Sequence, residues 1–126
     1  MSEVAEFFAR YADAFQAFDA EGIAACYAAP CLFVRDGETA AAENAIAVAA
    51  SANALLDLHR AWDVQTVEVG GVIVLERAPG HVLARVDWRL GRTGSRIAWE
   101  YATTYALVPA GTGWRIALAS THDAPF

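Results

Sequence analysis

At 126 residues the chain has the length of one domain, and its net charge of −6 argues against partners with phosphate backbones and against anionic membrane surfaces. Apolar residues make up 56% of the chain and charged residues 19%, a balance that excludes an intrinsically disordered polymer. Much of the apolar content is alanine, so core-forming power rests on the aromatic and Val/Ile/Leu positions.

The opening Met1-Ser2-Glu3-Val4-Ala5-Glu6 is acidic and lacks the basic-then-apolar pattern of a secretory signal. The uncharged helical stretch from Asn44 to Leu56 is too short to span a bilayer. A cytoplasmic protein that binds neither nucleic acid nor membrane is expected. Cys26 and Cys31 form no CxxC pair and have no histidine at metal-ligand spacing. They read as small apolar residues, and neither a metal nor a cofactor is expected.

Val4, Phe7, Phe8, Tyr11, Phe15 and Phe18 recur at three- and four-residue spacing, which predicts an amphipathic first helix. Asp19 is placed to cap a second helix over about Ala20–Ala28, with Ile23, Cys26 and Tyr27 buried and Pro30 as its stop. The apolar run Cys31-Leu32-Phe33-Val34 ends at Arg35-Asp36-Gly37, a hairpin signal. A third helix is predicted over about Ala41–Arg60, with Val48, Ala52, Leu55 and His59 on one stripe.

From Trp62 the period changes to two. Trp62–Val69 and Val72–Glu76 read as one strand or two pieces, with a bulge expected at Gly70-Gly71. His81–Leu90, Ser95–Val108 and Trp114–His122 follow, joined by short turns at Ala78–Gly80, Gly91–Gly94 and Pro109–Gly113. Such turns predict an antiparallel meander. Internal repeats and linkers are absent from the sequence, so residues 1–126 read as a single domain.

Alternation sorts these strands into two faces. Val82, Ala84, Val86, Trp88 and Leu90 share the inner one. So do Ile97, Trp99, Tyr101, Thr103, Tyr105 and Leu107, followed by Trp114, Ile116, Leu118, Ser120 and His122. The polar ends of buried Trp and Tyr need partners, so this face meets either backbone groups in a solid core or a ligand in a cavity. The outer face mixes Arg85, Asp87, Arg89, Glu100 and Arg115 with many alanines. That mixture is expected either to pack against a second copy as a homodimer or to form cross-strand ion pairs in solvent.

The order of helices, early hairpin and long meander resembles the NTF2-like superfamily, also described as SnoaL-like or ketosteroid-isomerase-like. The residues that carry the resemblance are Phe8 through Phe15, Asp19 through Tyr27, Pro30, Phe33 through Gly37, Trp88-Arg89-Leu90, Tyr101 through Leu107 and Gly113 through Ile116. It covers nearly the whole chain and implies an α+β cone: three N-terminal helices packed on a strongly curved mixed or antiparallel sheet. Ketosteroid isomerases use an Asp base and an oxyanion hole made of a Tyr and a protonated Asp. By resemblance, Tyr11 falls at the place of that Tyr and Asp36 at the place of the base. Thr103 replaces the acidic donor, and a hydroxyl is the weaker donor of the two.

Each of these residues also has a structural reading. Tyr11 lies on the apolar stripe of its helix, and Asp36 before Gly37 is an ordinary turn residue. His122 ends the last strand either as a proton carrier or as a frayed terminal residue. Three functions follow as expectations. In the first, a small apolar or aromatic ligand sits in a pocket lined by Tyr11, Phe15, Trp88, Trp99, Tyr101, Thr103, Tyr105 and Trp114. The second is a cofactor-independent isomerase or lyase with Asp36 as general base, Tyr11 as oxyanion donor and His122 as relay. The third is a dimerisation module with a filled core. The sequence contains neither a Gly-rich phosphate loop before a helix nor a Gly-x-Ser-x-Gly elbow, which leaves nucleotide and serine-hydrolase chemistry without support.

Overall fold

A computed structural model describes residues 3–92 and 97–122, with only the backbone of Ile97 and Ala98. Parts of the expected Gly91–Gly94 turn, the start of the strand at Ser95 and the inward placement of Ile97 lie outside the described residues or side chains. Helix α1 runs Glu3–Gln16 and buries Val4, Phe7, Phe8, Tyr11 and Phe15 along one stripe. Glu3 and Glu6 in its first turn complement the positive end of the helix dipole. Asp19 caps α2 (Ala20–Ala24), its side chain accepting from the Gly22 amide at 3.0 Å.

Helix α2 is shorter than the sequence predicts. Strand β1 (Tyr27–Arg35) begins inside the span expected for the second helix, and it runs through Pro30. The Ile116 amide donates to the Cys26 carbonyl at 2.7 Å, and Tyr27 pairs with Ile116, so the sheet captures the segment. Strand β2 (Glu38–Ala42) returns through a turn in which both Asp36 (φ 50) and Gly37 (φ 80) are left-handed, the geometry a two-residue hairpin demands. Ala41 and Ala42, expected in the third helix, pair instead with Leu32 and Cys31. Alanine's helix propensity is a few tenths of a kcal/mol and yields to tertiary pairing. Helix α3 (Ala45–Ala61) starts later, at Asn44, whose side chain accepts from the Ala47 amide at 2.9 Å.

The meander comprises β3 (Thr66–Ala78), β4 (His81–Gly91), β5 (Ile97–Ala110) and β6 (Gly113–His122). The sheet has six strands in the order β2-β1-β6-β5-β4-β3. All neighbours are antiparallel except β1 and β6, which run parallel. The helices cover its inner face, and Phe8, Ile23, Leu56, Leu107 and Ile116 are fully buried between the layers.

Among the register shifts of the sheet, two bulges bear most on which side chains face the cavity. In β3, Val69 pairs with Trp88 and Gly71 with Asp87, so Gly70 is the extra residue. A Cβ at Gly70 would lie 3.2 Å from the Asp87 carbonyl oxygen. The second bulge carries no glycine signal. Leu107 opposes Ile116 while Ala106 opposes Leu118, which makes Ala117 the extra residue of β6. Beyond it the strand's parity reverses. Ala119 is buried and Thr121 faces inward, whereas the alternation of the sequence assigns Leu118, Ser120 and His122 to that face. His122 lies exposed on the outer face, its Nε2 3.3 Å from Thr104 Oγ1.

Candidate functional site

Between α1, α3 and the inner face of the sheet lies a cavity of about 80 Å³. A dry cavity of about 150 Å³ holds benzene, so this one encloses part of a small molecule rather than a large ring system. Phe15, Phe33, Leu55 and Val67 supply apolar wall, and tyrosine and threonine hydroxyls supply the polar groups.

Tyr11 and Tyr27 hydrogen-bond to each other through their hydroxyls in the buried core. Beside them, Trp88 Nε1 donates to the Tyr105 hydroxyl at 3.1 Å. The hydroxyls of Thr103 and Thr121 lie 3.4 Å apart on β5 and β6. Burial, reinforced by neighbouring tyrosines, holds Tyr11 and Tyr105 well above the ordinary phenol range, and burial raises Tyr27 as well. Burial pushes Tyr101 up to about 12, with the charge of Arg35 opposing it. All four phenols are therefore neutral at pH 7 and act as hydrogen-bond donors and acceptors.

His59 projects from the last turn of α3 into the same cavity, its ring 5.1 Å from that of Phe15. Burial lowers its pKa to about 4, so its imidazole is neutral at pH 7. Arg35 reaches the cavity from the end of β1. No Asp or Glu lines the cavity among the described residues. The site can therefore donate hydrogen bonds to an acceptor and offer one cation, but it presents no carboxylate base.

Of the residues singled out in the sequence, Tyr11, Phe15, Trp88, Tyr101, Thr103 and Tyr105 meet at this cavity. Four others do not line it. Asp36 is at the tip of the β1–β2 turn with its side chain 79% exposed, because the left-handed backbone of the hairpin turns it outward. His122 is carried to the outer face by the Ala117 bulge. Trp99 packs edge-to-face on Trp62 at 5.2 Å, with the Arg92 guanidinium 4.7 Å from its ring centre. Trp114 pairs with Pro109 at the far end of β6 and covers the edge of the core.

The outer-face residues also separate. Arg85 and Asp87 pair at 3.3 Å and Arg89 and Glu100 at 3.5 Å. Arg115 stands at the other end of the sheet, beside a groove formed by α2 and α3.

Tyr27, Phe33, Arg35, His59 and Thr121 line the cavity although the sequence did not single them out for it. For Phe33 and Arg35 the signal was present, since alternation from the buried Cys31 puts 33 and 35 on its face. Tyr27 was hidden by helix propensity, and Thr121 by a bulge that no Gly or Pro marks.

The family model described as NTF2-like protein (DUF6841) matches residues 2–124. The chain belongs to this NTF2-like family. Among solved structures, the NTF2-like chain is similar to a variant of Rv3472, a protein of unknown function from Mycobacterium tuberculosis. The identity is 20% and the TM-score 0.75, over 98% of this chain and 71% of that one. An NTF2-like protein with a cystatin-like fold from Novosphingobium aromaticivorans gives 23% identity and a TM-score of 0.72, over 94% and 78% of the two chains. ActVI-ORFA from Streptomyces coelicolor gives 15% identity and a TM-score of 0.73, over 95% and 93%. At these identities the likeness is one of fold. No curated protein matches the sequence. The α+β cone that the resemblance implied is thus the fold of this NTF2-like protein. No helix among the described residues is long and apolar enough to cross a membrane.

Proposed function

We propose that this NTF2-like protein binds a small apolar or aromatic molecule bearing a hydrogen-bond acceptor, seated between α1, α3 and the sheet. The observation that carries this reading is the convergence of Tyr11, Tyr101, Thr103 and Thr121, with Arg35 and His59, on a cavity whose remaining wall is largely apolar. Tyr11 and Thr103 are bonded to Tyr27 and Thr121 as they would be in a filled core, but a space remains beside them. Pockets of this kind, apolar with a few convergent polar groups, are the usual form of a small-molecule site. The test is a fragment screen by thermal shift, followed by amide chemical-shift mapping. Binders are expected to raise the melting temperature and to move the Thr103 and Thr121 amides. The reading fails if no fragment does both.

The alternative reading, an isomerase or lyase, lacks a supporting contact: Asp36, its base, is directed to solvent. A homodimer through the outer sheet face has more in its favour. Leu32, Leu118, Ala106 and Leu83 are register neighbours across four strands of that face. On β3 the row ends at Glu76, the partner of Leu83, with Ile73 and Leu75, 53% and 55% exposed, near it along the strand. Such a row flanked by the Arg85–Asp87 and Arg89–Glu100 pairs suits a second copy related by two-fold symmetry. Light scattering at micromolar concentration is expected to return twice the chain mass. A monomer mass would overturn it.

A further inference from the structure

Arg35, Thr121 and Thr103 occupy one row across three neighbouring strands. Arg35 of β1 is the register partner of Thr121 of β6, and Thr121 is the register partner of Thr103 of β5. All three side chains line the cavity. Adjacent strands lie about 5 Å apart, so a guanidinium and two hydroxyls stand along one wall at strand spacing. This row exists because Ala117 bulges. Were Ala117 paired regularly with Ala106 instead, Ser120 would oppose Thr103 and Thr121 would lie on the outer face.

From this row we infer that the ligand is a small carboxylate, its charged oxygens held by Arg35 and the Thr121–Thr103 hydroxyls and its apolar body directed towards Phe15, Leu55 and Val67. The inference deepens the small-ligand reading and rests on it. Three features favour an anion. Among the described lining residues Arg35 is the one charged side chain at neutral pH, since His59 is neutral there and no acid is present. A carboxylate accepts hydrogen bonds of about 2.8 Å from a guanidinium on one side and a hydroxyl on the other, which matches donors on adjacent strands. The Thr103 hydroxyl also bonds Tyr105, and its contact with Thr121 is long at 3.4 Å, so the Thr121 proton can turn to a carboxylate oxygen instead.

Asp36 approaches Arg35 to 3.9 Å, but from the solvent side of the turn. At that distance and exposure the pair is weak and screened by solvent, and Asp36 does not line the cavity. The volume of about 80 Å³ limits the buried portion to a few heavy atoms, which favours a short branched or monocyclic acid over a fused-ring one.

The experiment compares isobutyrate and benzoate with their neutral isosteres isobutyramide and benzamide, titrated into the full chain and followed by amide chemical shifts. Arg35→Gln and Arg35→Lys are measured alongside, with circular dichroism as the check on folding. The wild type is expected to bind at least one acid about tenfold or more tightly than its amide. R35Q is expected to lose that preference while still binding the amide, and R35K to retain part of it. Equal affinity for acid and amide in the wild type, or an undiminished preference in R35Q, overturns the carboxylate inference and leaves the small-ligand reading standing. If neither acids nor amides bind the folded wild type, the inference fails. The small-ligand reading fails with it only if the wider fragment screen is also empty.

Discussion

Tyr11 of α1 and Tyr27 of β1 join their hydroxyls beneath the sheet, with ring centres 5.8 Å apart in an edge-to-face arrangement. Both side chains are almost entirely buried, so each hydroxyl depends on the other for part of its hydrogen bonding. The bond also ties the first helix to the strand where the expected second helix gives way to the sheet.

Removing either hydroxyl leaves its partner less well satisfied. Tyr11→Phe and Tyr27→Phe are each expected to destabilise the protein by about 1–3 kcal/mol in urea unfolding. The double variant is expected to cost less than the sum of the two, by about 1 kcal/mol, because the second change removes a group already short of a partner. Strict additivity would mean that the pair is not coupled.

Asp36 is a turn residue in this structure, and its backbone sets the pattern of its variants. Asn tolerates a left-handed φ, so Asp36→Asn is expected to change stability by less than about 0.5 kcal/mol and to leave ligand binding intact. Asp36→Ala keeps the strain without a side chain suited to it and is expected to cost about 1 kcal/mol. Loss of a proton-transfer activity in D36N, with folding unchanged, would restore Asp36 as a base.

His59 makes stability depend on pH in a defined window. Its folded-state pKa is lowered to about 4 from an ordinary 6.5, so between these values the unfolded chain binds the extra proton. Stability from this group is therefore complete above pH 6.5 and is lost as pH falls towards 4. The loss is at most about 3.5 kcal/mol, because a tenfold change in proton affinity between the folded and unfolded chains is worth about 1.4 kcal/mol. In urea melts across that range, His59→Leu is expected to flatten this part of the profile. An unchanged slope would assign the acid sensitivity to other groups.

Deletion of Ala117 tests the bulge. Because Ala117 is the extra residue, its removal lets Leu118 follow Ile116 opposite Ala106 and keeps Ala119 and Thr121 on the inner face. The deletion variant is expected to keep its stability in urea within about 1 kcal/mol of the parent and to retain any ligand-induced shift at Thr103. A steep loss of stability together with loss of that shift would show that the residues beyond position 117 had changed face.

The sequence alone determined the fold class, because its strongest signals are periodic and local. The three- and four-residue spacing from Val4 to Phe15 makes an amphipathic helix in any context, and alternation from His81 to Leu107 fixes one buried face on β4 and β5. Those elements carry Tyr11, Phe15, Trp88, Tyr101, Thr103 and Tyr105 to the cavity, and all six were legible. Gly70-Gly71 announced the first bulge through its lack of side chains.

Tertiary structure decided the rest, and in each case a weak local preference met a stronger distant partner. Tyr27 and Ala42 joined strands because β6 and β1 offered backbone hydrogen bonds that outweigh helix propensity. Thr121 replaced His122 at the site because one unmarked residue, Ala117, shifted the register against β5. Asp36 was turned away by the hairpin, and Arg35, its neighbour, was turned in. A one-residue change of register is invisible in composition and spacing, yet it reverses every side chain beyond it.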